Sequence, residues 1–208
     1  MVPERGASWL EWGFGTRETI CKNEPILMKQ VHGARVITVT EPGLAGEGDA
    51  LVTKTPGLLL GIKTADCLPI LMVDLKNKCV AAVHAGWRGS AQCIVQVALR
   101  DMGLLSGTNP IDVLVAMGPA IQKCCFEVGP EVAREFSKFD AAFEGVTTKR
   151  HLDLQAINAR QLEQAGVSPT QILRNELCTV CQAEQFWSFR REKEQAGRMV
   201  SVVGITSN

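Results

Sequence analysis

The fold is decided by residues 58 to 89, which read LLLGIKTADCLPILMVDLKNKCVAAVHAGWRG. Short apolar runs bounded by turn residues are typical of buried strands. Leu58–Asp74 therefore predicts two strand runs that meet at Cys67-Leu68-Pro69, and Cys79–His84 predicts the next strand. After His84 the chain enters the glycine-flanked turn Gly86-Trp87-Arg88-Gly89.

The rest of the chain shows apolar residues at the spacing of strands in some segments and at the spacing of helices in others. Further strands are predicted at Ala34–Thr40, Ala50–Thr53, Val113–Met117 and Met199–Ile205. Helices are predicted after Ser90 with Gly103 ending the first, after Gly129–Pro130, and from Asp153 to Gly166. Strands and helices are mixed without regular βαβ alternation. The expected fold is α+β, a single domain over residues 1–208 with a mixed β-sheet flanked by helices.

Composition limits the classes of function. Of the 208 residues, 46% are apolar and 21% charged, as in ordinary globular proteins, and the formal net charge is zero. Scattered basic residues argue against a nucleic-acid partner. No apolar run is long enough to span a bilayer, and the first residues do not resemble a signal peptide. We expect a cytoplasmic protein without a membrane partner.

The chain has eight cysteines but only three histidines. Without a secretory signal, reduced and mostly buried thiols are the simpler interpretation. His32, Cys67 and His84 each lie at a predicted strand edge, where side chains can converge. Two imidazoles and a thiolate suit Zn²⁺, and three protein ligands leave the open position of a catalytic site. Ordinary half-buried histidines and one more buried thiol are the alternative interpretation.

A competing metal site would use the C-x-x-C pair Cys178 and Cys181 together with Cys124 and Cys125. The pattern is weaker, because adjacent cysteines rarely both reach one metal and no second C-x-x-C is present. A redox C-x-x-C and inert buried thiols remain alternatives.

The turn after His84 suggests an anion site. It leads towards a helix N-terminus, and Arg88 can grip a phosphate with two hydrogen bonds. The alternative is an arginine stacked on Trp87 and pointing to solvent. Asp66 has two interpretations as well, as a general base or as an acid that holds the loop by hydrogen bonds.

Several segments together resemble the YfiH-like family, also called the polyphenol oxidase or laccase-domain family, which includes purine nucleoside phosphorylases. The resemblance runs from about residue 12 to the C-terminus. The segments occur in the family's order: Gln30-Val31-His32-Gly33, Gly48-Asp49-Ala50-Leu51-Val52-Thr53, Thr64-Ala65-Asp66-Cys67-Leu68-Pro69, Val83-His84-Ala85-Gly86-Trp87-Arg88-Gly89, and Gly118-Pro119-Ala120-Ile121 through Cys124-Cys125-Phe126-Glu127-Val128-Gly129.

The resemblance implies zinc on His32, Cys67 and His84. It also implies phosphorolysis of adenosine, inosine or methylthioadenosine, and deamination of adenosine. Cys67, His84 and Arg88 are the expected catalytic residues, and Arg88 is also expected to bind the substrate phosphate. Zinc suits deamination, because it lowers the pKa of a bound water to about 7.

The chain departs from the family near its start. Trp12-Gly13-Phe14-Gly15-Thr16-Arg17 resembles the family's His-Gly-Phe-x-Thr-Arg segment, with tryptophan in place of histidine. A glycine pair and an Asn-containing loop with a helix are missing before Gln30. Arg17 remains a candidate substrate-binding residue. Copper occurs in the family, but three histidines cannot hold a multicopper centre.

Three hypotheses follow for the activity. The first is a zinc-dependent purine nucleoside phosphorylase with adenosine deaminase activity, whose partners are a nucleoside and phosphate and whose assembly is a monomer or homodimer. The second is a metal-independent cysteine hydrolase, with Cys67 as nucleophile and His84 as base, acting on an amide such as a peptidoglycan precursor. The third is a non-catalytic, zinc-stabilised nucleotide-binding protein.

Overall fold

The structure is a computed structural model that describes residues 7–19, 21, 23–137, 147–148 and 151–207. Its strands are β1 (Leu10–Gly13), β2 (Lys29–Gln30), β3 (Val36–Thr38), β4 (Glu47–Gly48), β5 (Ala50–Thr53), β6 (Leu59–Thr64), β7 (Leu68–Asp74), β8 (Cys79–Ala85), β9 (Val113–Met117), β10 (Thr147–Thr148), β11 (His151–Leu152), β12 (Ile172–Leu173) and β13 (Met199–Ile205). Its α-helices are α1 (Trp87–Ala91), α2 (Ile94–Ser106), α3 (Pro130–Ser137), α4 (Leu154–Gln164) and α5 (Phe189–Glu192).

A six-stranded mixed sheet forms the centre of the described part of the chain, in the order β12-β9-β7-β8-β5-β3. The four inner strands are antiparallel, whereas the outer strands β3 and β12 pair in parallel with their neighbours. β7 and β8 are buried along their whole length, as their unbroken apolar runs predicted. The predicted mixed sheet flanked by helices is confirmed.

The central sheet is covered on both faces. Alternate residues of β7 point to opposite sides, because the side-chain period of a strand is two. Ile70 and Met72 pack in a core that includes residues of α2 and α4. Leu71 and Val73 pack in a second core with residues of the three-stranded sheet β1-β13-β6. The site described below lies at the end of the central sheet where β7 begins and β8 ends.

The first predicted helix is broken in two and runs further than expected. α1 ends at Ala91, and Cys93 adopts a left-handed conformation (φ 58°) before α2 begins. The expectation that Gly103 ends this helix is wrong. α2 continues to Ser106 and ends at Gly107, whose φ of 72° is the left-handed conformation that glycine adopts without steric cost at a helix C-terminus.

The other two predicted helices are confirmed. α3 begins at Pro130 and buries Val132 and Phe136. α4 follows Asp153, whose side chain accepts a hydrogen bond from the Ala156 N–H at 2.8 Å and caps the helix. No helix in the described ranges combines the length and apolar character needed to cross a bilayer.

Candidate metal centre

Three separate segments bring His32, Cys67 and His84 together. His32 lies in a bend after β2 with a φ of 59°, Cys67 directly precedes β7, and His84 is the second-last residue of β8. The pairing of Leu68 with Ala85 sets Cys67 beside the end of β8. One ligand atom from each of the three side chains lies within 4.8 Å of the others. The imidazole rings meet edge to face, with centroids 4.8 Å apart.

Two glycines that follow β8, one before α1 and one within it, make this approach possible. A Cβ atom on Gly86 would lie 3.1 Å from Cys67 Sγ. A Cβ atom on Gly89 would lie 2.8 Å from the carbonyl oxygen of Gly33, the residue next to His32. Larger residues at these positions would push apart the segments that carry the three side chains.

Asp49 is a buried residue whose carboxylate accepts hydrogen bonds from the segments that carry His32 and His84. Its Oδ1 accepts from His84 Nδ1 at 2.9 Å and from the His32 backbone N–H at 2.8 Å. Its Oδ2 accepts from the Gly33 N–H at 2.6 Å. Because the carboxylate fixes the proton on Nδ1, it leaves His84 Nε2 free to face Cys67 and His32. Asp49 therefore positions two of the three candidate ligands.

The electrostatics of the cluster favour a thiolate. Burial opposes ionisation of Cys67, but hydrogen bonds from His32 and His84 and the charge of His84 lower its pKa to about 6. Burial disfavours the charged form of His84, yet its hydrogen bonds to Asp49 and Cys67 raise its pKa to about 9. Burial would raise the pKa of Asp49, but hydrogen bonds from His84 and Gly33 lower it. Thiolate sulfur is the form of cysteine that binds metals.

The three side chains line one cavity of about 620 Å³, a size typical of small-molecule sites. Its apolar lining includes the rings of Trp87, Phe126 and Phe189. Among the described residues, its charged lining is predominantly basic, with Lys63, Arg190, Lys193 and Arg198 against one acid, Asp66. The cavity thus offers planar apolar surfaces and a positive field beside the thiolate and the imidazoles.

The basic residues differ in how they are engaged. The Arg190 guanidinium donates to the carbonyl oxygens of Cys125 (3.4 Å) and Glu127 (3.0 Å). Arg198 donates to carbonyl oxygens of its own loop. Within the described residues, the ammonium groups of Lys63 and Lys193 have no ion-pair partner. These two side chains remain available to an anion.

Arg88 and Arg17, the two predicted anion and substrate residues, do not line this cavity. Arg88 is exposed, and its guanidinium carbon lies 4.2 Å from the centroid of the Trp87 ring. Arg17 forms an ion pair with Glu192, donates to the Phe186 carbonyl oxygen at 3.1 Å and stacks on Trp187. Their roles with substrate stay predictions.

Asp66 is held in loop contacts. Its Oδ1 accepts from Thr179 Oγ1 and its Oδ2 from the Arg190 backbone N–H, both at 2.6 Å. Its φ of 83° marks the turn that separates β6 from β7. These contacts match the interpretation of Asp66 as an acid that holds the loop.

Asp49, Lys63 and Lys193 have no role predicted from the sequence. Asp49 carried a usable signal, because a lone acid between Gly48 and the apolar strand β5 has to be satisfied by partners. Lys63 and Lys193 carried none, because they are far apart in sequence and only the packing of β6 near the segment after α5 makes them neighbours of one cavity.

Several known proteins similar to this chain are named for reactions of purine nucleosides. A purine nucleoside phosphorylase of Deinococcus radiodurans is 40% identical over 86% of this chain and 69% of its own length. Adenosine deaminase RL5, from an unknown prokaryotic organism, is 36% identical over 83% of this chain and 72% of its own length. The crystal structure of YlmD from Geobacillus stearothermophilus superimposes with a TM-score of 0.80 at 33% identity, covering 88% of this chain and 73% of that one. Residues 16–206 match the family described as multi-copper polyphenol oxidoreductase laccase, and the chain therefore belongs to this laccase-like YfiH family.

Proposed function

We propose that this chain is a zinc-dependent purine nucleoside phosphorylase that also deaminates adenosine, with residues 1–208 acting as one catalytic domain. The observation that carries the proposal is the convergence of His32, Cys67 and His84 at a cavity with a basic and aromatic lining. The names of the relatives support the same class of substrate. Adenosine, inosine and methylthioadenosine are the proposed nucleosides, and the cytoplasm is the proposed compartment.

The donor set fits one zinc ion. Two imidazole nitrogens and a thiolate are ligands that Zn²⁺ prefers, and the carboxylate behind His84 is the partner that a metal-bound histidine usually has. When bound there, zinc would supply Lewis-acid character to a water molecule or a substrate oxygen. A multicopper centre does not fit, because the whole chain has only three histidines.

The chain's own residues hold this site in a fixed geometry. Asp49 keeps the Nδ1 proton of His84 in place and sets the His32 backbone through its N–H. Cys67 directly precedes β7. Because this strand is buried along its whole length, the movement of Cys67 is limited. Such preorganisation keeps the reacting groups from rearranging during the reaction.

The cavity lining suits both groups that phosphorolysis of a nucleoside brings together, the phosphate and the planar base. In phosphorolysis, a phosphate oxygen forms a bond to C1′ of the ribose while the bond from C1′ to the purine nitrogen breaks. Lys63 and Lys193 are placed to hold that phosphate, since their ammonium groups are unpaired in the described chain. The rings of Trp87, Phe126 and Phe189 offer faces for the planar base. In deamination, water adds at C6 and ammonia leaves.

The direct test is incubation of the purified protein with adenosine, with and without phosphate. We expect adenine and ribose 1-phosphate only with phosphate, and inosine under both conditions. His84→Ala is expected to abolish both products. Absence of adenine, inosine and hypoxanthine after incubation with the zinc-loaded protein would refute the proposal. The cysteine hydrolase and the non-catalytic nucleotide-binding protein would then be the alternatives.

One specific observation favours a second candidate, a metal-independent cysteine hydrolase. Cys67 is hydrogen-bonded to His84, and His84 is hydrogen-bonded to Asp49. This is the arrangement of a nucleophile, a base and an acid that orients the base. A chelator separates the candidates. The zinc enzyme loses activity on adenosine in the presence of the chelator, whereas a cysteine hydrolase keeps its activity on amides and loses it to iodoacetamide.

A further inference from the structure

A second cluster of cysteines lies apart from His32, Cys67 and His84. Cys124 and Cys125 lie in the turn after β9, and Cys178 and Cys181 in the turns before α5. The Sγ–Sγ distances are 3.7 Å from Cys124 to Cys125, 3.8 Å from Cys124 to Cys181 and 3.4 Å from Cys125 to Cys181. All four sulfur atoms lie within 4.8 Å of one another.

These separations match one tetrahedral ion. Four thiolates around zinc, each at about 2.3 Å, stand about 3.8 Å apart at the corners of a tetrahedron. A disulfide requires about 2.05 Å, and all four thiols are free. A cubane iron–sulfur cluster binds each cysteine to a different iron atom, which spreads the sulfur atoms more widely.

The turns resolve the objection that adjacent cysteines rarely share a metal. The Gln122 carbonyl oxygen accepts from the N–H groups of both Cys125 and Phe126 at 2.9 Å, which closes the chain into a tight turn. In this turn the side chains of Cys124 and Cys125 lie side by side, with their Sγ atoms 3.7 Å apart. The sequence spacing alone did not show this.

Backbone N–H groups surround Cys178, the most buried of the four cysteines in this cluster. Cys178 is 3% exposed, and its sulfur accepts hydrogen bonds from the backbone N–H groups of Gln122, Val180 and Cys181. Hydrogen bonds of this kind stabilise a metal-bound thiolate.

Two arginines hold the same loops and bring positive charge to them. Arg190 donates to the Cys125 carbonyl oxygen at 3.4 Å. Arg191 donates to the carbonyl oxygens of Thr179 and Val180, between the two cysteines of the C-x-x-C pair, at 2.7 and 2.8 Å. Four thiolates on one Zn²⁺ carry a net charge of about −2, which nearby guanidinium groups offset.

We propose that Cys124, Cys125, Cys178 and Cys181 bind a second, structural zinc ion that joins two loops of the cavity wall. The joined loops meet at Asp66, the residue before Cys67. Asp66 accepts from Thr179 of one loop and, through its backbone oxygen, from the Ile121 N–H near the other. The ion therefore holds the wall beside Cys67 without contacting substrate.

Metal content of the full chain, purified anaerobically with a reductant and measured by mass spectrometry, tests this directly. We expect about two zinc ions per chain in the wild type and about one in either His32→Ala or Cys181→Ser. His32→Ala takes a ligand from the three-ligand site, and Cys181→Ser takes one from the four-cysteine site. Cys21→Ser is the matched control and keeps both ions. His32→Ala also isolates the cysteine site: loaded with Co²⁺, it is expected to show the strong thiolate-to-metal absorption of a tetrathiolate.

The outcomes separate this inference from the proposed function. Two ions in the wild type without nucleoside turnover would refute the function and support the second site. Zinc-free His32→Ala protein, or cobalt absorption no stronger than that of a single thiolate, would overturn the second site even if Cys181→Ser does not fold. An intact mass that shows a disulfide among the four cysteines in reductant would overturn it as well.

Discussion

Asp49 Oδ1 and His84 Nδ1 lie 2.9 Å apart, and both side chains are almost fully buried, at 0% and 2% exposed. The same carboxylate accepts the backbone N–H groups of His32 and Gly33. One buried acid thus sets the orientation of one imidazole and the backbone position of the other.

Asp49→Asn should weaken zinc binding and nucleoside turnover about 10- to 100-fold, as the loss of a carboxylate partner does at other metal-bound histidines. The amide keeps the shape of the side chain but not its charge, so His84 loses its stabilised Nδ1–H. Zinc affinity by chelator competition and the rate of adenosine turnover check this. Asp112→Asn, which alters a half-buried acid paired with Lys76, is the control and should change neither. Unchanged zinc affinity in Asp49→Asn would contradict the positioning role.

Zinc affinity at the His32–Cys67–His84 site should depend on pH with a definite sign. The pKa of His84 is raised to about 9 in the metal-free protein, whereas the pKa of Cys67 is lowered to about 6. Between these values Cys67 is already a thiolate but His84 still holds a proton that zinc must displace. We therefore expect the affinity to rise about tenfold per pH unit from pH 6 to 9 and more steeply below pH 6.

The same pKa values predict the reactivity of the metal-free thiol. Alkylation of Cys67 by iodoacetamide should be half-maximal near pH 6 rather than near pH 9, since the thiolate is the nucleophile. Peptide mapping after a pH series gives the rate for each cysteine, and zinc should protect Cys67. An alkylation midpoint above pH 8 would show that the imidazoles do not stabilise the thiolate.

Gly89→Ala should damage the site although residue 89 touches no ligand side chain. Its Cβ would lie 2.8 Å from the Gly33 carbonyl oxygen, a backbone atom that can move only with the His32 segment. Overpacking of this kind costs about 1–3 kcal/mol of unfolding free energy. Denaturant unfolding and zinc content measure the two effects.

Gly103→Ala is the matched control for Gly89→Ala. Gly103 lies inside α2, and the nearest atom to its Cβ would be the Thr108 carbonyl oxygen at an ordinary 3.5 Å. Alanine inside a helix is about 0.5–1 kcal/mol more favourable than glycine. This variant should therefore be as stable as the wild type or more stable, with its zinc retained. Equal behaviour of the two variants would show that close packing at Gly89 is unimportant.

The sequence predicted elements better than contacts between them. Unbroken apolar runs located β7 and β8, and Asp153 located the start of α4, because burial and capping are local properties of the chain. The end of α2 was misplaced, because Gly103 and Gly107 are both acceptable stops and only the tertiary packing selects one.

Contacts across the chain explain the remaining differences at the site. Strand-edge positions suggested that His32, Cys67 and His84 converge, but the acid behind them depends on the pairing of β5 with β8. The meeting of Cys124 and Cys125 with Cys178 and Cys181 depends on two turns separated by more than fifty residues. Arg88 stacks on Trp87, which was its alternative interpretation, and its role in binding an anion stays a prediction.

Lys63→Met and Lys193→Met should separate the two proposed activities. Both lysines line the cavity, and their ammonium groups have no ion-pair partner among the described residues, so a phosphate is their expected counter-ion. Losing a hydrogen bond to a charged group costs about 1.5–3 kcal/mol, which corresponds to a roughly 10- to 100-fold rise in the KM for phosphate. Deamination of adenosine needs no phosphate, and its rate should stay within about twofold of the wild-type rate. Lys76→Met is the control, because Lys76 follows β7 at the end of the strand remote from Cys67. Its ion pair with Asp112, in which the lysine is exposed and the N–O distance is 3.7 Å, contributes little. If both cavity variants keep the wild-type KM for phosphate, the anion is bound elsewhere, and Arg88→Met is the next variant to measure.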